Sequence, residues 1–171
     1  MKQLITSIGL MSGTSCDGID VSIIQSDGED KLDILGEYYH QYNEKLQQEI
    51  SNLKEKILRK EDLNIHSVDI SELEKKITIT HALAVEETLN KFKFDKKNIG
   101  IIGFHGQTIY HSFKNKISKQ LADGGLLSKL LSLDVIYDFR NKDIGNGGQG
   151  APLTPIFHNL IQKKIKGYTP I

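Results

Sequence analysis

Leu10-Met11-Ser12-Gly13-Thr14-Ser15-Cys16-Asp17-Gly18-Ile19-Asp20 sets a short polar turn between two apolar runs. Leu4, Ile5, Ile8, Leu10 and Met11 precede it, and Ile19, Val21, Ile23 and Ile24 follow. Such runs, bounded by Gly, Ser and Thr, are strand signals, so the turn is expected to close a β-hairpin over 4–25. Gly13 and Gly18 are expected to take positive φ and let a ligand approach the main chain. Thr14 and Ser15 add hydroxyl donors to amides that can form an anion nest. A phosphate fits such a bend, and Asp17 and Asp20 suit either turn capping or a magnesium-water shell around a nucleotide. The same letters also fit an ordinary hairpin with no ligand. Two sharper motifs fail. A serine-hydrolase elbow needs G-x-S-x-G on a strand-to-helix turn, and here Gly13-Thr14-Ser15-Cys16 runs on into Asp17 and a strand. A Walker loop needs Gly-Lys-Ser/Thr before a helix, and neither is present.

The 171 residues are enough for one well-packed domain, and 38% hydrophobic with 26% charged is ordinary for a globular chain. Lys and Arg number 22 against 22 Asp and Glu, so no net field draws nucleic acid or an anionic membrane, and phosphate has to be recognised locally. No apolar run approaches the ~20 residues of a membrane span, and the first residues lack a signal-peptide layout, so a cytoplasmic location is expected. Cys16 is the single cysteine. It excludes an internal disulfide and a Cys-rich metal site, and with no evident partner base it reads as a small turn residue rather than a nucleophile.

Beyond the hairpin, Asp27-Gly28 is expected to turn the chain into a third strand over 32–42. The period then changes: Leu46, Ile50, Leu53 and Ile57 draw one stripe along a helix over about 43–60, whose Lys and Glu residues form a solvated face. A second helix is expected over 71–92, opened by a Ser71/Glu74 capping box, with His81 packed or on its surface rather than a metal ligand. Ile99-Gly100-Ile101-Ile102-Gly103-Phe104 reads as a buried strand running into a polar turn, His105-Gly106-Gln107-Thr108. Strand ends of this kind hold ligands in open α/β sheets, and these side chains can hydrogen-bond a sugar hydroxyl; a structural turn with a capped His is the plainer alternative. A strand near 117–121, a helix near 125–133 and a strand at 135–137 complete a βαβ rhythm, which implies a mixed sheet with helices packed against it.

Asp138 to Leu153 contains G-x-G-x-x-G at Gly145, Gly147 and Gly150, too far from its strand and without the later acidic residue of a dinucleotide site. NAD is therefore set aside. The stretch 138–153 reads as a ligand-hugging loop in which Arg140 can pair a carboxylate or phosphate and Asp143 or Gln149 can meet hydroxyls. Pro152 is expected to open a helix to about 164, followed by a basic, aperiodic tail over 163–171.

Three blocks in register carry a family resemblance: Gly9 to Asp20, Gly103 to Thr108, and Asp138-Phe139-Arg140 through Gly147-Gly148-Gln149-Gly150-Ala151-Pro152-Leu153. Together they resemble the anhydro-N-acetylmuramic acid kinase family. The resemblance implies an actin-like α/β fold with two lobes around a nucleotide cleft. It also implies ATP-dependent phosphorylation of 1,6-anhydro-N-acetylmuramic acid at its 6-hydroxyl while water opens the anhydro ring, giving N-acetylmuramic acid 6-phosphate in peptidoglycan recycling. Carried over residue by residue, Gly13, Thr14, Ser15, Cys16, Asp17, Gly18, Ile19 and Asp20 form the phosphate hairpin, with Asp17 and Asp20 near Mg. His105, Gly106, Gln107, Thr108, Arg140, Asp143, Gly147, Gly148, Gln149 and Gly150 line the sugar side.

Cys16 stands where the family has Leu, and Ala122 where it has Gly. Family members continue about twice as far, through an Asp-Thr-Gly-Pro-Gly-Asn motif whose Asp is the general base. The resemblance therefore puts that base beyond Ile171 and assigns no catalytic residue to Asp134, Asp138 or Asp143. The chain is expected to be a truncated N-terminal lobe, inactive alone. It would act with a complementary half, pair as a homodimer, or serve as a non-catalytic nucleotide- or sugar-binding lobe.

Overall fold

The computed structural model describes residues 3–164. Alternation of apolar and polar residues builds β1 (Ile5–Ser12), β2 (Gly18–Ser26) and β3 (Leu32–Gln41) as an antiparallel meander. β4 (Ile101–Ser112) then lies parallel to β1, and β5 (Ile117–Leu121) runs antiparallel to the later half of β4. The order is β3-β2-β1-β4-β5, with β6 (Val135–Tyr137) parallel to the first part of β4. Asp27 ends the second hairpin by accepting the amides of Glu29, Asp30 and Lys31 on one carboxylate oxygen, beside Gly28 at φ 77°.

One sheet face is roofed by α1 (Glu44–Lys56) and α3 (Ser67–Phe92). The α1 stripe Leu46, Ile50, Leu53 and Ile57 is buried as its period requires, and Asn43 caps the helix by accepting from the Leu46 amide at 2.9 Å. The helix stops at Lys56 rather than near residue 60, because Asp62 turns its carboxylate onto the Leu58 and Arg59 amides and starts the short α2 (Asp62–Ile65). Helix α3 begins at Ser67, before the expected capping box. Glu74 is engaged elsewhere, its carboxylate accepting from the Ala122 amide and from Lys119 Nζ, which clamps α3 to the end of β5. Thr78 Oγ1 accepts from the Asp123 amide beside it, so α3 fixes the entry to α4 (Gly124–Leu131).

Three further expectations are corrected. His105 to Thr108 lie within the continuous strand β4 and not in a turn beyond it. The stretch 138–153 contains a helix, α5 (Phe139–Gly145), and the last helix, α6 (Pro155–Lys164), opens at Pro155 instead of Pro152. Proline suits either start, and Arg140 and Asp143 close the loop at Gly150, after which residues 151–154 run without regular structure to the helix. Residues 165–171 of the expected tail lie outside the described residues. No described helix is long and apolar enough to cross a membrane.

Candidate functional site

The turn between β1 and β2 sits at the end of the strand that pairs with β4, and its backbone departs from the expectation for Gly13 and Gly18. Neither glycine has positive φ; Cys16 takes the left-handed conformation, at φ 60°. Gly18 is a glycine for a different reason. A Cβ there would lie 2.5 Å from His40 O and 2.6 Å from the Tyr39 hydroxyl, so β3 can pass the hairpin only where no side chain intervenes. The turn closes with Cys16 N–H donating to Gly13 O at 3.2 Å. The amides of Gly13, Thr14 and Ser15 take no acceptor among the described residues, and Thr14 and Ser15 are exposed.

Asp17 is exposed and accepts from Ser15 Oγ. That hydrogen bond holds its carboxyl below the ordinary value, so it stays anionic at the mouth of the turn. Asp20 is exposed on β2, register-paired with Met11 and Tyr39; Ile19 beside it is fully buried and serves the core. Among the described residues, no group of three His, Cys, Asp or Glu side chains is placed to hold a metal ion. Two exposed carboxylates fit a hydrated Mg ion, which keeps several waters, and do not form a protein cage.

Behind the turn lies a buried polar triangle that sequence reasoning missed. Ser12 Oγ lies 2.6 Å from Gln107 Oε1, 3.0 Å from the Tyr42 hydroxyl and 3.0 Å from Gly18 O. A serine hydroxyl has one proton, so Tyr42 donates into Ser12 while Ser12 donates to Gln107 or Gly18. Gln107 Nε2 donates to Gly13 O at 2.8 Å and approaches Thr108 O at 3.4 Å. Gln107 is 0% exposed with both ends of its amide engaged, so it serves the interior of the protein and not the expected contact with a sugar hydroxyl. The signal for Ser12 was strand parity: it follows Ile8 and Leu10 by steps of two and therefore shares their buried face.

An extra residue in β4 makes this reach possible. Leu10 pairs with Phe104 but Ser12 with Gln107, so one residue bulges out, and Gly106 takes φ 71° there. A Cβ on Gly106 would run into Leu121 O and Ala122 Cβ, so it is packed against β5 instead of open to a ligand. Thr108 faces β5 as well, its Oγ1 3.3 Å from Gln120 Nε2. Of the expected row 105–108, only His105 lines the open groove on the other sheet face. That cavity, of about 410 Å³, is floored by Gly9 and Gly103 and walled by Met11, Phe139 and Phe157.

His105 is tied to the glycine loop. Arg140 Nε donates to His105 Nε2 at 2.8 Å, and Arg140 Nη1 donates to Gly150 O at 2.8 Å. Asp143 accepts the Gly150 amide at 2.7 Å, and Gly148 packs so closely on that carboxylate that no side chain fits. Gly147 and Gly150 take φ 91° and 75°, and Gln149 is exposed at the loop's tip. Arg140 and Asp143 thus spend part of their hydrogen-bonding capacity shaping the loop. The structure brings His105, Arg140, Asp143 and the loop 147–150 into one network, and of the hairpin residues 13–20 it places Asp20 on the same groove as His105.

A family model for anhydro-N-acetylmuramic acid kinase matches residues 5–169. A curated protein of that name from Pelagibacter ubique is 50% identical over 168 residues, which cover 97% of this chain and 44% of the relative. One from Agrobacterium fabrum is 40% identical, covering 96% of this chain and 44% of the relative, and one from Rhodopseudomonas palustris is 36% identical, covering 99% and 46%. The chain spans about half the length of the curated relatives it matches. The family has the actin-like ATPase fold, and the mixed sheet with helices packed against it is a lobe of that kind. With the hairpin, the β4 block and the glycine loop all falling inside the matched span, the chain belongs to the anhydro-N-acetylmuramic acid kinase family.

Proposed function

We propose that this chain is the phosphate- and sugar-facing lobe of an ATP-dependent kinase acting on 1,6-anhydro-N-acetylmuramic acid. In that reaction the 6-oxygen forms a bond to the γ-phosphorus as the bond to the ADP oxygen breaks. Water adds at the anomeric carbon, whose bond to the 6-oxygen breaks, and N-acetylmuramic acid 6-phosphate and ADP are the products. The observation that carries the reading is the set of amides at Gly13, Thr14 and Ser15 that take no acceptor among the described residues, at the end of the strand whose neighbour presents His105. Phosphoryl transfer asks the protein mainly for positioned donors against spread negative charge.

In this reading the turn 13–18 holds the terminal phosphates, with Asp17 and Asp20 reaching the water shell of a magnesium ion that neutralises them. Arg140 and Gln149, with the glycine loop 147–150 that Asp143 closes, face the sugar, and His105 fixes Arg140. Asp143 and Asp138 are not proposed as the base for water, since they are engaged by the Gly150 amide and by Asn141 Nδ2. The half-length match and the exposed apolar side chains Ile5, Met11 and Ile34 favour action with a complementary half.

A coupled assay for N-acetylmuramic acid 6-phosphate tests this. Negligible turnover is expected from the chain alone, and turnover on adding a polypeptide matching the second half of a relative. In ¹⁵N spectra, MgATP is expected to move the amides of 13–20 and the anhydro sugar those of 147–150. Spectra unmoved by either ligand would refute the proposal.

A further inference from the structure

Resting on the phosphate reading of the hairpin, we infer that Lys54 and Gln107 are positioning residues that aim the phosphate-binding amides. A trans peptide unit is a rigid plane in which C=O and the following N–H point in opposite directions, so whatever grips the carbonyl sets the direction of the amide. Gly13 O, in the unit that carries the Thr14 amide, accepts from Gln107 Nε2 at 2.8 Å and from Cys16 N at 3.2 Å. Thr14 O, in the unit that carries the Ser15 amide, accepts from Lys54 Nζ at 3.0 Å and from Cys16 Sγ at 3.3 Å. Both lone pairs of each carbonyl are filled, and the two gripping side chains come from different elements, β4 and α1. With both carbonyls gripped, the Thr14 and Ser15 amides are fixed in the opposite direction, and they take no internal acceptor among the described residues, which leaves them for an oxyanion.

Each grip is itself supported. Gln107 is held by Ser12, which Tyr42 backs, and Lys54 also donates to Cys16 Sγ at 3.4 Å. Cys16, in the left-handed conformation, is buried, with its thiol donating to Thr14 O and accepting from Lys54 Nζ. Lys54 leaves α1 one turn after Ile50 and beside Leu53, so the buried stripe of the helix fixes where its ammonium arrives.

The test uses the ¹⁵N-labelled 171-residue chain titrated with MgATP, followed at the Thr14 and Ser15 amides. Lys54→Met keeps the apolar stem and removes the donor. It is expected to weaken binding about tenfold, the scale of one lost hydrogen bond to a charged group. It should also lower the ¹⁵N–¹H NOE of Thr14 and Ser15 in the free protein while leaving the thermal midpoint near that of the parent. Lys54→Arg retains a donor and is expected to restore both readouts. Gln107→Glu keeps the acceptor for Ser12 and removes the donor to Gly13; if it does not fold, the Lys54 pair decides. Parent-like affinity and order in Lys54→Met, or equal losses in Lys54→Arg, overturn the inference while the phosphate reading stands. No saturable shift at Thr14 and Ser15 in the unmutated chain overturns both.

Discussion

Arg140 Nε donates to His105 Nε2 at 2.8 Å, and this one bond decides the protonation state of the histidine. A guanidinium only donates, so Nε2 must carry a lone pair, and Nδ1 then carries the proton that it gives to Gly106 O at 2.8 Å. The ring is held neutral between a bulge carbonyl and an arginine that also grips the glycine loop.

A pH dependence follows from this arrangement. Burial, and secondarily the Arg140 charge, hold the His105 pKa below its ordinary 6.5, and protonation has to break the Arg140 bond. Between the folded value and 6.5 the unfolded chain binds more protons. The contribution to stability is therefore complete above pH 6.5 and lost as pH falls through the folded value. Acidification is expected to shift the Gly147 to Gly150 amides together with the His105 ring signals, and His105→Gln to abolish that coupled shift. Independent titration of loop and ring would contradict it.

His81 carries a second acid sensitivity. It is fully buried, its ring 4.8 Å from that of Phe104, with Nδ1 bonded to Ile77 O and Nε2 without a partner among the described residues. Burial pushes its pKa down to about 4. A depression from 6.5 to about 4 is worth on the order of 3 kcal/mol, fully present above pH 6.5 and lost as pH falls through 4. His81→Leu leaves Ile77 O its helical amide partner. Its unfolding free energy by urea is expected within about 1 kcal/mol of the parent at about pH 7 and clearly above it at about pH 4.

Gly106→Ala is expected to cost about 3 kcal/mol, because a side chain at φ 71° is strained and its Cβ would meet Leu121 and Ala122. The same change at Gly9, where a Cβ meets nothing within 4 Å, is expected to be nearly neutral for stability. Denaturant midpoints of the two variants provide the comparison.

The exposed sheet face is expected to drive self-association of the isolated chain, since Ile5, Met11 and Ile34 are 45%, 42% and 55% exposed on the β1–β2–β3 meander. Sedimentation velocity should show a mass that grows with concentration, and Ile34→Glu should reduce it. A monomer at every concentration would count against an unpartnered apolar face.

Strand parity and helical period made much of the architecture readable, because burying one face is a local demand that each residue answers by its own polarity. Leu46, Ile50, Leu53 and Ile57 announce α1, and Ile19, Val21 and Ile23 announce β2. The capping box at Ser71 failed because Glu74 found a better donor set at the end of β5, a partner 48 residues away in sequence. Lys54 looked like one more solvated lysine, since nothing in its neighbours reveals a carbonyl 40 positions earlier.

The strands, the main helices, the polar hairpin and the three blocks that mark the family were therefore legible in the amino-acid order, since all of them depend on contacts within a few residues or on letters in succession. The division of labour among the side chains was not: Gln107 and Lys54 gripping the hairpin, Gly106 packed in a bulge and His105 neutral against Arg140 emerge only in the folded chain. Those roles come from parallel pairing of β1 with β4 and from helix docking. Such contacts join residues 35 to 95 positions apart, too far along the chain for neighbouring letters to announce them.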